Sequence, residues 1–370
     1  MLVRFWVEGY RCFSERTEID LTDKKNYRFG KECVRGDFLD KMVVLGENNV
    51  GKTSFGYAIT DIITTAGGFK KDIGQMDPVC FLNKDVDTDK ATFHYELTQR
   101  GSVITYEYSK TDADHLVSES LTIDRQLVYR YDLNSDSEPF FKKDLMRYPE
   151  IPVPDGSRSI ILALSERYAI DPDSPVGVVS YFAKHSLYYM AMWKMDVHIG
   201  VMDFHDQVCS YLINNDLVSK FENFFRDVSG SDLRLTVEDG TLMVVRGSGK
   251  IPFTKSVSRG TMILCRLFCW IMRCKDKDAL IYFDDFDDMF HYRTAENAIK
   301  AIIAEKRSQC IFVTHNTGLV SNEFLRPDCC FIMEQGQLRS FASLTDKDIR
   351  RGHNLEKMLR EGEFNRKSVE

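Results

Sequence analysis

The sequence predicts an α/β fold built around a parallel, doubly wound sheet, and three observations carry that prediction. The apolar run Met42-Val43-Val44-Leu45 leads directly into Gly46-Glu47-Asn48-Asn49-Val50-Gly51-Lys52-Thr53, a complete G-x-x-x-x-G-K-[ST] phosphate loop, and Thr53 to Ile63 then reads as a helix. Ala279 to Phe283 and Cys310 to Val313 are continuous apolar runs, the form expected of strands covered on both faces. Between them Thr294 to Lys306 has helical periodicity, and strand, helix, strand in this order gives parallel neighbours.

The remaining elements follow in chain order. Leu2 to Val7 and Thr17 to Leu21 alternate apolar and polar positions as half-buried strands do, forming a hairpin ahead of the phosphate-loop strand. Ala91 to Leu97, Val103 to Tyr108, Ser118 to Ile123 and Gln126 to Tyr131 continue the alternation, so residues 90 to about 150 form an antiparallel β arm. From Ser157 to Asp227 the period turns helical, with Val178, Tyr181, Phe182, His185 and Tyr189 on one face, and Asp173-Ser174-Pro175 marks a helix start. This helical insertion is rich in aromatic residues at Tyr181, Phe182, Tyr188, Tyr189 and Trp193, a partner surface or core packing. Leu233 to Val245 is a hairpin turning at Asp239-Gly240, and Thr261 to Cys274 is a helix. The chain divides into an N-terminal lobe (1–155), the helical insertion (156–230) and a C-terminal lobe (231–370).

Composition narrows the class. With 43% hydrophobic and 28% charged residues over 370 positions, the chain is an ordinary globular protein with a sizeable core. A net charge of −7 argues against coating nucleic acid, so any DNA contact needs a local patch. The best placed is Arg350, Arg351, Lys357, Arg360, Arg366 and Lys367, but Asp348, Glu356, Glu361 and Glu363 interleave with it, as on a solvated helix face. Ten cysteines without C-x-x-C pairs suggest reduced, packed thiols in a cytoplasmic protein, and no apolar segment is long enough to span a membrane.

Four motifs carry chemistry. Backbone N–H groups of the phosphate loop, from Gly46 through Ser54, would cradle phosphates, with Lys52 reaching the β- and γ-phosphates and Thr53 ligating Mg²⁺. Asp284, at the end of an apolar strand, would hold Mg²⁺ opposite Thr53, and Asp285 is the candidate base for the attacking water. Asp287 and Asp288 make four acids in five residues, which also suits a divalent-metal cluster. Ser258-Arg259-Gly260-Thr261 opens a helix and forms an anion site by the physics of the phosphate loop. His315, directly after a buried strand, could bond a γ-phosphate and the attacking water. His185, His198, Asp203, His205 and Asp206 could be imagined as a metal site, with ordinary polar positions on helices the simpler account.

With these residues in this order the chain resembles the ATP-binding-cassette class of AAA-type ATPases, a P-loop NTPase class shared with the heads of SMC and RecF proteins. The likeness is strongest to compact ATPases of abortive-infection and phage-defence systems. It rests on the hairpin before the phosphate loop, Ser258 to Thr261 as the signature, Asp284-Asp285 as the Walker B acids, His315 as the switch histidine, and Leu355 to Phe364 as the family's tail. The resemblance implies ATP and Mg²⁺ as ligands, ATP sandwiched between two heads so that Ser258, Gly260 and Thr261 complete a partner's site, a homo-oligomer, and a separate effector such as a nuclease. It leaves open a DNA-repair role of the RecF kind and implies no membrane partner. Asp285 stands where the family has glutamate, so hydrolysis is expected to be slow. Gln75 and Gln99 are weak candidates for the Q-loop, and Tyr10 or Phe13 could stack on adenine.

Overall fold

The computed structural model describes residues 1–69, 81–143, 148–191, 196–200, 207–305 and 308–364. Strands β1 (Leu2–Glu8) and β2 (Thr17–Asp20) form the expected hairpin, and β3 (Val34–Arg35) and β4 (Phe38–Leu39) a short second one. Strand β5 (Lys41–Leu45) ends at the phosphate loop and is followed by α1 (Lys52–Ile59) and α2 (Asp61–Thr65). The single helix expected from Thr53 to Ile63 is therefore broken. The break lies at Thr60, whose hydroxyl donates to the Gly56 carbonyl at 2.6 Å, back-bonding of the kind that interrupts or bends helices.

Strands β6 (Ala91–Gln99), β7 (Ser102–Lys110), β8 (Leu116–Ile123), β9 (Gln126–Asp132) and β10 (Phe140–Phe141) continue the antiparallel meander. They do not form a separate arm: β6 pairs with β1, giving one seven-stranded sheet in the order β10-β9-β8-β7-β6-β1-β2. Its inner face is lined by Phe5, Phe93, Tyr95, Tyr106, Tyr108 and Tyr129, all fully buried.

The middle of the chain differs from expectation. Helices α3 (Ile160–Arg167) and α4 (Pro175–His185) form as predicted, the latter capped by Ser174 and led by Pro175. Then come two strands, β11 (Leu187–Ala191) and β12 (Asp196–Gly200), before α5 (Val208–Asn214) and α6 (Val218–Ser229). A small sheet follows, β13 (Leu235–Glu238), β14 (Thr241–Arg246) and β15 (Gly249–Pro252), with the predicted turn at Asp239 and Gly240, both at positive φ. The chain closes with α7 (Phe253–Ser256), α8 (Arg259–Cys274), β16 (Leu280–Asp284), α9 (Tyr292–Ala304), β17 (Gln309–Thr314), β18 (Cys330–Glu334), β19 (Gln337–Ser340) and α10 (Leu355–Arg360).

The second sheet runs β12-β11-β16-β17-β5-β18-β19, parallel from β11 to β18 and antiparallel only at its two edges. The segment expected to be a helical insertion thus contributes two strands to the central sheet. Tyr188 and Tyr189 lie on β11 and are 0% and 4% exposed, and Phe182 is buried, so most of the aromatic partner surface is core. Trp193 lies outside the described residues.

Helix α1 sits between the two sheets. Phe55 meets Phe5 of the antiparallel sheet with ring centroids 5.6 Å apart, while Gly56 faces Tyr282 of the parallel one. The buried Gln309 side chain stitches the sheets together, accepting from Leu2 N at 2.9 Å and donating to the carbonyls of Leu2 at 2.8 Å and Leu39 at 3.2 Å. No helix among the described residues is long and apolar enough to cross a membrane.

Candidate nucleotide-binding site

The phosphate loop leaves β5, whose five residues are all buried, at the C-terminal edge of the parallel sheet. Glycine is required at Gly46, where a Cβ would lie 2.9 Å from Val50 Cγ2 and 3.0 Å from the Met333 carbonyl oxygen. Asn49 at φ 67° and Gly51 at φ 106° then turn the chain left-handed into α1. Gly51 caps α1 without a side-chain hydrogen bond, so the helix's first N–H groups remain available to an anion. The buried Lys52 side chain folds back along the loop, donating to the carbonyls of Gly46 at 2.8 Å and Glu47 at 2.7 Å. Beside the loop opens a cleft of about 530 Å³ lined by Glu47, Val50, His315, Met333, Arg339 and Leu359, within the size range of small-molecule sites.

Asp284 is the last residue of β16 and is buried. Its Oδ2 accepts from the Tyr188 hydroxyl at 2.7 Å, whereas the buried Oδ1 has no hydrogen-bond partner among the described residues. Burial pushes its carboxyl up to about 6, the Asp285 charge adds to this, and the Tyr188 and Thr53 hydroxyls and the Lys52 ammonium pull the other way. An orphaned carboxylate oxygen beside a threonine hydroxyl at a phosphate loop fits Mg²⁺, which binds through one or two carboxylates plus substrate phosphates. Thr53 and Asp284 are therefore the residues that could hold it.

After Asp284 the chain turns sharply. Asp285 sits at φ 44°, Phe286 N donates to the Val313 carbonyl at 3.0 Å, and Thr314 Oγ1 donates to Asp287 Oδ1 at 2.5 Å. Asp287 is thereby a buried anchor of the turn. Asp285, Asp288 and His315 gather their side-chain ligand atoms within 4.8 Å of one another, with His315 Nδ1 3.7 Å from Asp288 Oδ1. Burial and the neighbouring Asp285 charge raise the Asp288 carboxyl, and His315 opposes them. The three strands that carry the loop, the acids and the histidine are β5, β16 and β17, consecutive in the sheet with β17 in the middle.

The other expected residues are arranged differently. Ser258 caps α8, accepting from Thr261 N at 3.2 Å and meeting Thr261 Oγ1 at 2.9 Å; it is exposed. Among the described residues Ser258, Gly260 and Thr261 make no hydrogen bond to the phosphate loop; Gly260 lies against Met289, just past the acidic turn. Tyr10 and Phe13 are 2% and 1% exposed and pack edge-on against Phe81 and Phe93, and against Phe55, so neither face is open to a base. Gln99 is engaged with Asp173 at 3.2 Å, and Gln75 lies outside the described residues.

His185 stacks on Tyr181 at 4.0 Å and His198 is buried near Trp270, while Asp203, His205 and Asp206 lie outside the described residues. Cys265, Cys269, Cys274, Cys329 and Cys330 are all buried, the thiols of Cys274 and Cys330 pushed up by burial, as packed thiols are. In the basic tail Lys357 pairs with Glu361, Arg360 with Glu356 and Arg350 with Asp348, so these charges are met locally; Arg366 and Lys367 lie outside the described residues.

Three residues at the site escaped sequence reasoning. Tyr188 holds Asp284; Tyr282 donates to the Lys52 carbonyl at 2.9 Å; Gly56 lets the two rings approach α1. Only Gly56 had a signal, as a helical glycine implies a close approach.

A comparison with curated proteins finds no match. Residues 1–172, which carry the hairpin, the phosphate loop, α1 and the antiparallel sheet, match the family model of the AAA ATPase domain.

Proposed function

We propose that the protein is an ATPase of the cassette-head type that binds Mg²⁺–ATP on Gly46 to Ser54 and works as the sensor or scaffold of an anti-phage defence system with a separate effector. The observation that carries the nucleotide reading is the convergence of the phosphate loop, Asp284-Asp285 and His315 at the ends of three consecutive parallel strands. The AAA ATPase match over residues 1–172 supports it from the other side. In this reading Lys52 and the α1 N-terminus bind the phosphates, and Thr53 and Asp284 hold the cation. Asp285 orients or deprotonates the attacking water, and His315 bonds the γ-phosphate. Mg²⁺, when bound, supplies neutralisation of charge on the phosphate oxygens.

The exposed Ser258, with Gly260 and Thr261, presents a capped helix start that, among the described residues, makes no hydrogen bond to the phosphate loop of its own chain, which suits a site completed by a second copy. Light scattering of Asp285→Asn with and without Mg²⁺–ATP tests this. An ATP-dependent rise to an even-numbered assembly is expected, and an unchanged monomer that still binds ATP would refute the shared site. The defence role rests on the resemblance of the chain to phage-defence ATPases, which is strong in its two lobes and weak from about residue 125 to 230. It is tested by phage plaquing on cells carrying the chain with its genomic neighbours, where undiminished plaquing of a broad phage panel counts against it.

A further inference from the structure

We infer that Tyr188 restricts Asp284 to one free oxygen and thereby sets cation choice at the nucleotide site, favouring a small octahedral ion such as Mg²⁺ over Ca²⁺. The inference rests on the reading of Asp284 as the cation-holding carboxylate.

Strand β11 pairs in parallel with β16 in the register Tyr188↔Tyr282 and Met190↔Asp284, which places the tyrosine one pleat before the acid on the neighbouring strand. The ring cannot swing away. It is fully buried between Tyr57, with centroids 4.6 Å apart, and Tyr282, stacked at 5.8 Å and 15°. Its O–H therefore points at Asp284 Oδ2, at 2.7 Å, the distance of a charge-assisted bond. Among the described residues Oδ1 is the carboxylate oxygen left without a hydrogen bond.

Mg²⁺ takes one oxygen per carboxylate in a strict octahedron and keeps several waters. Ca²⁺ has a larger, looser shell and often takes both oxygens of a carboxylate. Two-oxygen binding at Asp284 would break the Tyr188 bond and take from the buried phenol its charged acceptor, leaving it the neutral Tyr57 hydroxyl, a penalty that Mg²⁺ does not incur. The outer partner thus orients the ligand and selects the ion, as outer-shell groups do at metal centres. Tyr188 is a positioning residue: it acts through Asp284 and touches no substrate.

The test reads cation binding in the full chain with ATPγS, using the free Mn²⁺ signal in electron paramagnetic resonance and displacing Mn²⁺ by Mg²⁺ or Ca²⁺. Wild type is expected to favour Mg²⁺. In Tyr188→Phe the Mg²⁺-to-Ca²⁺ ratio should narrow about tenfold, mainly through tighter Ca²⁺, while Tyr57→Phe, which removes the second hydroxyl partner of Tyr188 but keeps the Asp284 bond, changes it less. An unaltered ratio in Tyr188→Phe, or an equal change in Tyr57→Phe, overturns the inference. If Tyr188→Phe does not fold, 3-fluorotyrosine at position 188 keeps the ring and sharpens the donor; a larger ratio supports the inference and the same ratio overturns it. Failure of the underlying reading would show separately, as unchanged Mn²⁺ binding in Asp284→Asn.

Discussion

Replacing Gly56 by Ala should destabilise the protein and weaken nucleotide binding, although the same change in an ordinary helix stabilises. In a helix interior Ala gains about 0.8–1 kcal/mol over Gly. At this position the added Cβ would stand 2.4 Å from Tyr282 Cε1 and 2.9 Å from Tyr188 Cε2. Carbon atoms pack at about 3.5–4 Å, so one ring or the helix has to retreat by roughly 1 Å. Neither ring is free to do so: Tyr282 bonds the Lys52 carbonyl at 2.9 Å and Tyr188 bonds Asp284 at 2.7 Å. Overpacking of this kind costs about 1–3 kcal/mol, and with both hydroxyls tethered the upper end applies, leaving a net loss of about 1–2 kcal/mol after the helix gain. For a chain of 370 residues that corresponds to a fall of roughly 1–3 °C in Tm. Thermal melts with and without Mg²⁺–ATP separate the two effects, because a ligand that binds only the folded state raises Tm according to its affinity. The variant should melt lower alone and show a smaller rise with ligand. A higher Tm with an undiminished ligand shift would refute the rigidity of the two tyrosines.

Further expectations concern charge. Lys52→Ala should remove measurable ATP binding by isothermal titration calorimetry while leaving the melting of the ligand-free chain close to wild type. The raised Asp284 carboxyl fixes a pH dependence: with a value of about 6 against an ordinary 3.8, the group is neutral at pH 5 and ionised at pH 7.5. Mg²⁺-dependent binding of ATPγS should therefore rise through pH 6 and flatten above it, and Asp284→Asn should abolish that rise. Without ligand the sign reverses, since the stability associated with the neutral carboxyl is lost as pH climbs from 3.8 to 6, so Asp284→Asn should be neutral or stabilising at pH 8 in urea melts. Away from the site, Lys110 and Asp61 form a buried pair at 2.7 Å that also takes in the Tyr108 hydroxyl. Lys110→Met should cost about 3–5 kcal/mol in urea denaturation by stranding the carboxylate, and Asp61→Asn added to it should recover part of that loss.

What could be read from the sequence follows physical range. The phosphate loop, the Ser174 and Ser258 caps and the Asp239-Gly240 turn are each decided by residues within a few positions of one another, and each is found where expected. The acids and the histidine were legible because strand ends in a parallel sheet are where ligands bind. Leu187 to Ala191 was not legible as a strand, since a five-residue apolar run following a helix fits either period. The one boundary cue, Gly200 at φ 124°, where a Cβ would meet the Ser186 carbonyl at 2.4 Å, lies at the far end of the β11–β12 pair. With β11 misread, the contact from Tyr188 to Asp284, 96 residues on, had no basis. Tyr10 and Phe13 failed as base contacts for a related reason: aromatic residues near a phosphate loop pack inward whenever a sheet lies against them, and here the antiparallel sheet does.

The two halves of the site depend on each other through groups that carry no chemistry themselves. The family match ends at residue 172, so it takes in Lys52 and Thr53 but stops before Tyr188, Asp284 and His315. What joins the halves is α1, whose first carbonyl, at Lys52, is held by Tyr282 of β16 and whose Gly56 admits the rings of β11 and β16. A movement of the phosphate-loop helix must therefore shift Tyr282, two residues before Asp284, and with it the stacked ring of Tyr188 that bonds Asp284. A change of packing on α1, including one at the buried Asp61–Lys110 pair that begins α2 immediately beyond it, therefore has a short route through packed rings to Asp284.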